Sequence, residues 1–413
     1  MARSGNPTAD CYPDRVRVLV LTYETPAYPA GGGASRMHSL LEPLAERHEI
    51  RVVSTGGAPL VGSPPLNVEL RLLDPGPPLG EPSGGWLHKN LNHYINGEPW
   101  LHRLAGHHNE ALAAALPREL DDFRPELVHI EHGELAGLVG RIPSPLPAVL
   151  ALQNMLLVVQ LQQFGRTSKW ESVKALLEAP ILLRADRRAM NAAAATIVVS
   201  PHDQKVARRL APRANVVLVP NCINVSYFAQ QMPPDSRPCV IFSGSLHYPP
   251  NQEALRDLVE RIFPRVLRQV PDAQLVVVGR SAPDWLQRLV VGRPGVQMVG
   301  EVPDVRPELW RAWVSVAPLS SGSGTPLKVM EAMAAGVPVV TTPRVARALE
   351  VGRADGVIAA GLYEEFADRL VDVLRDDVLR EELSRRAVSS ATARFDRRPA
   401  ALRQEAAWLE AAR

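Results

Sequence analysis

The feature that most constrains this chain is a repeated alternation of short β-branched runs with helical patterns. Residues 16–22 (VRVLVLT) lack a regular polar–apolar alternation, so they suit a strand covered on both faces within a parallel sheet. A Gly/Pro-rich loop then runs to Gly33, followed by apolar residues at helical spacing (Met37, Leu40, Leu41, Leu44) and a second strand over 49–54. This strand–loop–helix–strand unit opens a doubly wound sheet. Further strands are expected at 68–73, 127–130, 148–152, 196–200 and 216–219, with a long helical stretch between 168 and 195. A second series follows at 240–243, 274–278, 296–299, 314–318 and 337–341. Residues 220–238 (PNCINVSYFAQQMPPDSRP) read as the linker between the two series.

The expected architecture is α/β, with two Rossmann-like domains facing each other across a cleft. The first spans 1–220, the linker 221–238 and the second 239–390, while a helix in 391–413 packs back on the first domain. Ligands belong at the carboxyl ends of the strands in such sheets. The length, 413 residues, fits two domains, since single cores stop growing near ~250–300 residues.

Charge and cysteine content remove several function classes. Forty-six basic against 44 acidic residues leave a net charge of +2, which does not suit a nucleic-acid binder. Cys11, Cys222 and Cys239 stand at no ligand-like spacing and fit free thiols in a reducing cytoplasm. The first fifteen residues have no apolar core, and no stretch approaches the roughly 18 apolar residues of a membrane span, so a soluble, cytoplasmic protein is expected. Residues 166–188 mix Arg, Lys and Leu at helical spacing and read as a solvated amphipathic helix, with peripheral membrane contact as the alternative. His88, His93, His102, His107 and His108 cluster in the first domain without the spacing of a helical zinc site, so no metal is assigned.

The segment richest in chemistry is SSGSGTPLKVMEAMAAGVPVVTT, residues 320–342. Its glycines let backbone N–H groups approach an anion, Thr325 is the expected N-cap with Pro326 in the first turn, and Gly336 with Pro338 ends the helix. The positive end of that helix would face a diphosphate. Glu331 follows on the same helix, where a carboxylate accepts two ribose hydroxyls; the plain alternative is a Lys328–Glu331 surface pair at i, i+3.

This cassette resembles the donor signature of retaining glycosyltransferases of the GT-B fold, family 4 in particular. The resemblance extends to GGGASR (31–36), VVSPHD (198–203), VPNCINVSYF (219–228), FSGSLHYPPNQEAL (242–255), PDAQLVVVGR (271–280) and VGEVPDVRPELW (299–310). It implies sugar transfer from a nucleotide-diphosphate sugar to an acceptor hydroxyl of a small molecule or glycan. Anomeric configuration would be retained, and no metal or other cofactor would be required. The resemblance places Gly32, Gly33, Gly244, Arg280, Val302, Ser323, Gly324, Thr325 and Glu331 on the donor side. In VHIEHGEL (128–135) it makes His132 the candidate beside the reacting sugar and leaves His129 to the core; Asn154, after Gln153, falls near the acceptor.

Several positions depart from the family pattern. Ser323 stands where a first glutamate usually precedes Glu331 by eight residues, and Cys222 and Asn224 replace a usual Gly and Asp. The basic pair expected after residue 243 is absent, with His247 and Asn251 in that region. Lys328 is therefore the expected catalytic cation, with Arg280 as its rival. A dehydrogenase does not fit, because a GxGxxG turn should follow the first strand at once, whereas here about eight residues intervene and Arg36 holds the last position. A sugar-nucleotide epimerase of the same fold and a catalytically silent glycosyltransferase-like partner remain as alternatives.

Overall fold

The computed structural model describes residues 15–28, 30–58, 62–76, 106–157, 169–322 and 325–413. Its core is two wholly parallel sheets. The first contains β1 (Arg17–Thr22), β2 (Glu49–Ser54), β3 (Glu69–Leu72), β4 (Leu127–Glu131), β5 (Ala148–Leu152), β6 (Ala195–Val198) and β7 (Val216–Leu218), in the order β3-β2-β1-β4-β5-β6-β7. The second contains β8 (Cys239–Ser243), β9 (Gln274–Val278), β10 (Val296–Gly300), β11 (Val314–Ala317), β12 (Val339–Thr341) and β13 (Val357–Ala359), in the order β10-β9-β8-β11-β12-β13.

Both orders reverse beside their first strand, between β1 and β4 and between β8 and β11, which opens a crevice at the strands' carboxyl ends. Strands β4, β5 and β8 are buried along their whole length; β5 is wholly apolar, whereas β4 also buries His129 and Glu131, which bond each other. Each fully buried Val or Leu contributes about 1.5–3 kcal/mol, so these strands are rigid supports for the loops that follow them.

Strand β13 (VIA) escapes the sequence reading because three apolar residues carry no usable period. Strand β12 starts at Val339, not 337, because Val337 belongs to the preceding helix cap. Its N–H bonds Ala332 O at 2.9 Å while Gly336 N–H bonds Met333 O at 3.1 Å, and Gly336 takes the left-handed φ of 73° that this closure needs.

The segment 220–238 is not a loose linker. It contains a helical turn, Val225–Phe228, capped by Asn224, and buries Ile223, Val225 and Phe228 in the core of the second lobe. Ile223 exchanges backbone hydrogen bonds with Phe395 and Arg397, each 2.9 Å, and Trp310 Nε1–H donates to Phe228 O at 2.8 Å. The apolar side chains of this Pro- and Ser-containing stretch overrode the composition signal by finding a core to enter.

The final helix, Arg397–Ala412, lies on the first lobe, where Ala400, Ala401, Ala407 and Trp408 join a core with Met37, Leu40, Leu41 and Leu44. The stretch of Arg, Lys and Leu forms the helix Lys169–Ala192; residues 166–168 lie outside the described residues. Its Leu182 and Met190 are fully buried, so one face packs on the lobe. Among the described residues no helix is long and apolar enough to cross a membrane.

Candidate active site

Three turns at the carboxyl end of the second sheet build one wall of the cleft. Strand β8 ends at Gly244, whose φ of 145° is open to glycine, and a Cβ added there would lie 2.6 Å from Lys328 Nζ. Strand β9 ends at Gly279, where a Cβ would lie 2.0 Å from Gly244 O, so these two turns pack backbone to backbone. After β11 the chain enters the loop that precedes helix Leu327–Ala334. Ser323 and Gly324 lie outside the described residues.

Thr325 is not the N-cap. Pro326 holds that position with an extended backbone (φ −69°, ψ 115°), and the helix starts at Leu327. Thr325 Oγ1 instead accepts from Asn221 Nδ2 at 2.8 Å. Within the helix, Val329, Met330, Ala332 and Met333 are buried, which turns the i, i+3 pair Lys328 and Glu331 toward the cleft.

Lys328 Nζ donates to Asn251 Oδ1 at 2.8 Å and lies 4.6 Å from the Phe242 ring centroid. Asn251 donates its Nδ2 to Ser245 O at 2.8 Å, which fixes the amide with its oxygen toward the lysine. Asn251, which in the sequence stands where a basic pair was expected, thus holds the Lys328 ammonium. His247 makes a separate contact, Nδ1 to Ser245 Oγ at 2.7 Å.

Among the described residues the Glu331 carboxylate makes no hydrogen bond or ion pair, so the surface pair with Lys328 is not formed. Desolvation pushes the Lys328 ammonium down to about 7, against the pull of Glu331, and pushes the Glu331 carboxyl up to about 7, against that of Lys328. Burial therefore weakens the charge of both groups that face the cleft.

The first lobe supplies the facing wall. Helix Gly32–Leu44 begins at the glycine loop, and a Cβ on Gly32 would meet no atom within 4 Å, leaving its backbone open. Arg280 reaches across from the second lobe: its Nη2 lies 2.6 Å from where a Cβ on Gly31 would sit. Its guanidinium has no hydrogen-bond or ion-pair partner among the described residues.

Two further contacts cross between lobes. Arg36, 2% exposed, donates Nε to Asn221 Oδ1 and Nη2 to Val219 O, both at 2.9 Å, and Asn221 passes the connection to Thr325. Tyr28 inserts against Tyr227 and Phe228, at ring separations of 4.9 and 5.9 Å. Burial and then the charge of Glu331 raise its phenol well above the ordinary value. Neither residue is a site candidate in the sequence; only Arg36 drew notice, as the residue closing GGGASR.

His132 follows β4 with φ of 77°, is 4% exposed, and stacks on Tyr23 at 4.2 Å. His129 lies in the core, fully buried: its Nδ1 accepts from Trp408 Nε1 at 3.0 Å and its Nε2 donates to Glu131 Oε1 at 3.2 Å. Burial alone would raise the Glu131 carboxyl, but the hydrogen bond it accepts from His129 and the nearby charge of Arg36 bring it down below the ordinary carboxylate range.

Gly32, Gly33, His132, Asn154, Gly244, Arg280, Val302, Thr325, Lys328 and Glu331 all line one cleft of about 990 Å³. Of the sequence histidines, His107 and His108 lie on helix Gly106–Phe123, and His108 Nδ1 contacts Thr55 Oγ1 at 2.9 Å; His88, His93 and His102 lie outside the described residues. Cys222 and Cys239 are buried free thiols, and Cys11 lies outside the described residues.

The sequence profile of Glycosyltransferase Family 4 matches residues 30–227, and that of Glycosyl transferases group 1 matches residues 237–376. A phosphatidyl-myo-inositol mannosyltransferase of Mycobacterium tuberculosis is 32% identical over 197 residues, 44% of this chain and 51% of that protein. Its counterpart in Mycolicibacterium smegmatis is 27% identical over 220 residues, 48% of this chain and 56% of that one. The chain thus spans about half the length of the curated relatives it matches.

Among solved structures, sucrose-phosphate synthase from Thermosynechococcus elongatus superposes with a TM-score of 0.69 at 16% identity, over 94% of this chain and 98% of that one. Anabaena HepE in complex with UDP and glucose superposes with a TM-score of 0.65 at 15% identity, over 95% and 98%. With both lobes matched in order by glycosyltransferase profiles and the two facing sheets in place, the chain has the GT-B fold and is similar along both lobes to family 4 glycosyltransferases.

Proposed function

We propose that this glycosyltransferase takes a sugar from a nucleoside-diphosphate donor held by the second lobe and passes it to an acceptor hydroxyl held by the first. The observation that carries this reading is the placement of Lys328 and Glu331. Both lie on one helix face, both are desolvated, and both look into the cleft that the glycine loop and His132 share. A diphosphate would restore the charge of Lys328, and two ribose hydroxyls would occupy the free carboxylate of Glu331. The relatives fit this chemistry: one is a phosphatidyl-myo-inositol mannosyltransferase, and HepE was solved in complex with UDP and glucose.

The reaction we assign retains configuration. The bond from the anomeric carbon to the diphosphate oxygen breaks, and the acceptor oxygen bonds the same face of an oxocarbenium-like sugar. The acceptor proton passes to the departing phosphate oxygen. Lys328 would stabilise the charge that develops on that oxygen, with Arg280 and the helix amides as secondary donors. No metal is assigned a role, and we place the reaction in the cytoplasm.

Incubating the purified chain with UDP-, GDP-, ADP- and dTDP-sugars and polyol acceptors, with and without EDTA, tests this reading. Expected are release of one nucleoside diphosphate, a product with the donor's anomeric configuration by NMR, and insensitivity to EDTA. Epimerised donor without transfer would assign the epimerase chemistry instead, and an inverted product would remove the retaining mechanism.

A further inference from the structure

Opposite the donor wall, three polar atoms converge beside the glycine loop. His132 Nε2 is buried and has no hydrogen-bond partner, and the same is true of Glu24 Oε2; the two stand 3.9 Å apart. That gap is too long for a direct hydrogen bond but suits one oxygen bonded to both. The third atom is Gln153 Oε1. A Cβ on Gly33 would lie 2.1 Å from Glu24 Oε2 and 2.7 Å from Gln153 Oε1, so both oxygens occupy the space that the missing side chain leaves.

The orientation of Gln153 is set from the far side. Trp408 on the final helix donates to His129 Nδ1, which leaves the His129 proton on Nε2, where it donates to Glu131 Oε1. Glu131 Oε2 then accepts from Gln153 Nε2 at 3.1 Å. With its nitrogen committed to a buried carboxylate, the amide presents oxygen to the cleft.

A carboxylate oxygen and an amide oxygen both require donors, and an imidazole nitrogen beside them accepts or donates. A hydroxyl meets this set, since it donates to Glu24 and exchanges a hydrogen bond with His132, while a neighbouring hydroxyl donates to Gln153. A phosphate dianion cannot donate to either oxygen, and either charge form is repelled by Glu24.

We propose that Glu24, His132 and Gln153 form the acceptor subsite and that it takes an uncharged polyol face, with adjacent hydroxyls, rather than a phosphorylated group. This rests on the glycosyl-transfer reading and adds the acceptor's chemical class to it.

The test uses the full chain and keeps the two readings apart. Thermal shift with UDP, GDP and ADP reports the donor side alone, and absence of any shift would count against glycosyl transfer. With the preferred diphosphate bound, or on the free chain if none binds, saturation-transfer NMR compares myo-inositol and methyl α-mannoside with myo-inositol 1-phosphate. The neutral polyols should bind more tightly, and Glu24→Gln should lower their advantage roughly tenfold while leaving the diphosphate shift in place. Gln153→Met should weaken the polyols by about five- to tenfold without strengthening the phosphate. The subsite is overturned if the phosphorylated probe binds as well as the neutral ones. It is equally overturned if no neutral probe binds, or if both variants leave the polyol-to-phosphate ratio unchanged.

Discussion

The two walls of the cleft solve the problem of buried polarity in opposite ways. On the donor wall, Lys328 has one neutral partner, Asn251, and Glu331 has none among the described residues, so desolvation drives both toward neutrality. On the acceptor wall, Glu131 is fully ionised because His129 and Gln153 both donate to it, and Trp408 fixes His129 in turn. One wall holds Lys328 and Glu331 without charged partners; on the other the protein itself completes Glu131, leaving Glu24 Oε2 and His132 Nε2 unpartnered. A ligand that binds beside Lys328 should therefore change its protonation.

The largest expected effect tests the donor wall. Lys328→Met keeps the stem and removes the charge, and should lower turnover about 10²–10³-fold with a much smaller change in donor affinity. Single-turnover kinetics beside donor titration measure both. Near-normal turnover, with collapse in Arg280→Met, would move the catalytic role to Arg280.

Glu331→Gln leaves a single acceptor oxygen for two ribose hydroxyls. Donor affinity should fall roughly 10- to 150-fold, the equivalent of ~1.5–3 kcal/mol, by calorimetric titration. Unchanged affinity would return Glu331 to an ordinary helix position.

On the acceptor wall, Trp408→Phe keeps the ring but orphans His129 Nδ1 inside the core. Unfolding free energy should drop by about 1–3 kcal/mol in urea titration. The acceptor KM should also rise a few-fold while donor affinity holds, because Gln153 loses its fixed orientation. A stability loss with no change in acceptor KM would limit the relay to a structural role.

The smallest effect sharpens the contrast directly. A bound diphosphate favours charged Lys328 and raises its pKa from about 7, so at pH 8 binding should take up a fraction of a proton. At pH 6 the ammonium is already charged and the uptake from Lys328 should vanish. Calorimetry in buffers of different ionisation enthalpy reads this, and Lys328→Met should remove it.

Much of this protein was determined by sequence alone. Continuous β-branched runs cannot be one-face strands, so the parallel sheets followed, and with them a crevice at the strand ends. The i, i+3 spacing of Lys328 and Glu331 places both on one face of a short helix. Local chemistry of that kind repeats within one or two turns, and periodicity reports it.

What only the tertiary structure decided lies between residues far apart in the chain. Asn251 holds Lys328 across 77 positions, Arg36 meets Asn221 across 185, and Trp408 meets His129 across 279. No period or spacing links such pairs. Each contact exists because two separately formed elements were brought together by burial, and only there does a lone Asn, Arg or Trp acquire a partner. The same reason explains Thr325, which left its expected cap for Asn221, and the segment 220–238, whose Ile223, Val225 and Phe228 became core once a core stood beside them.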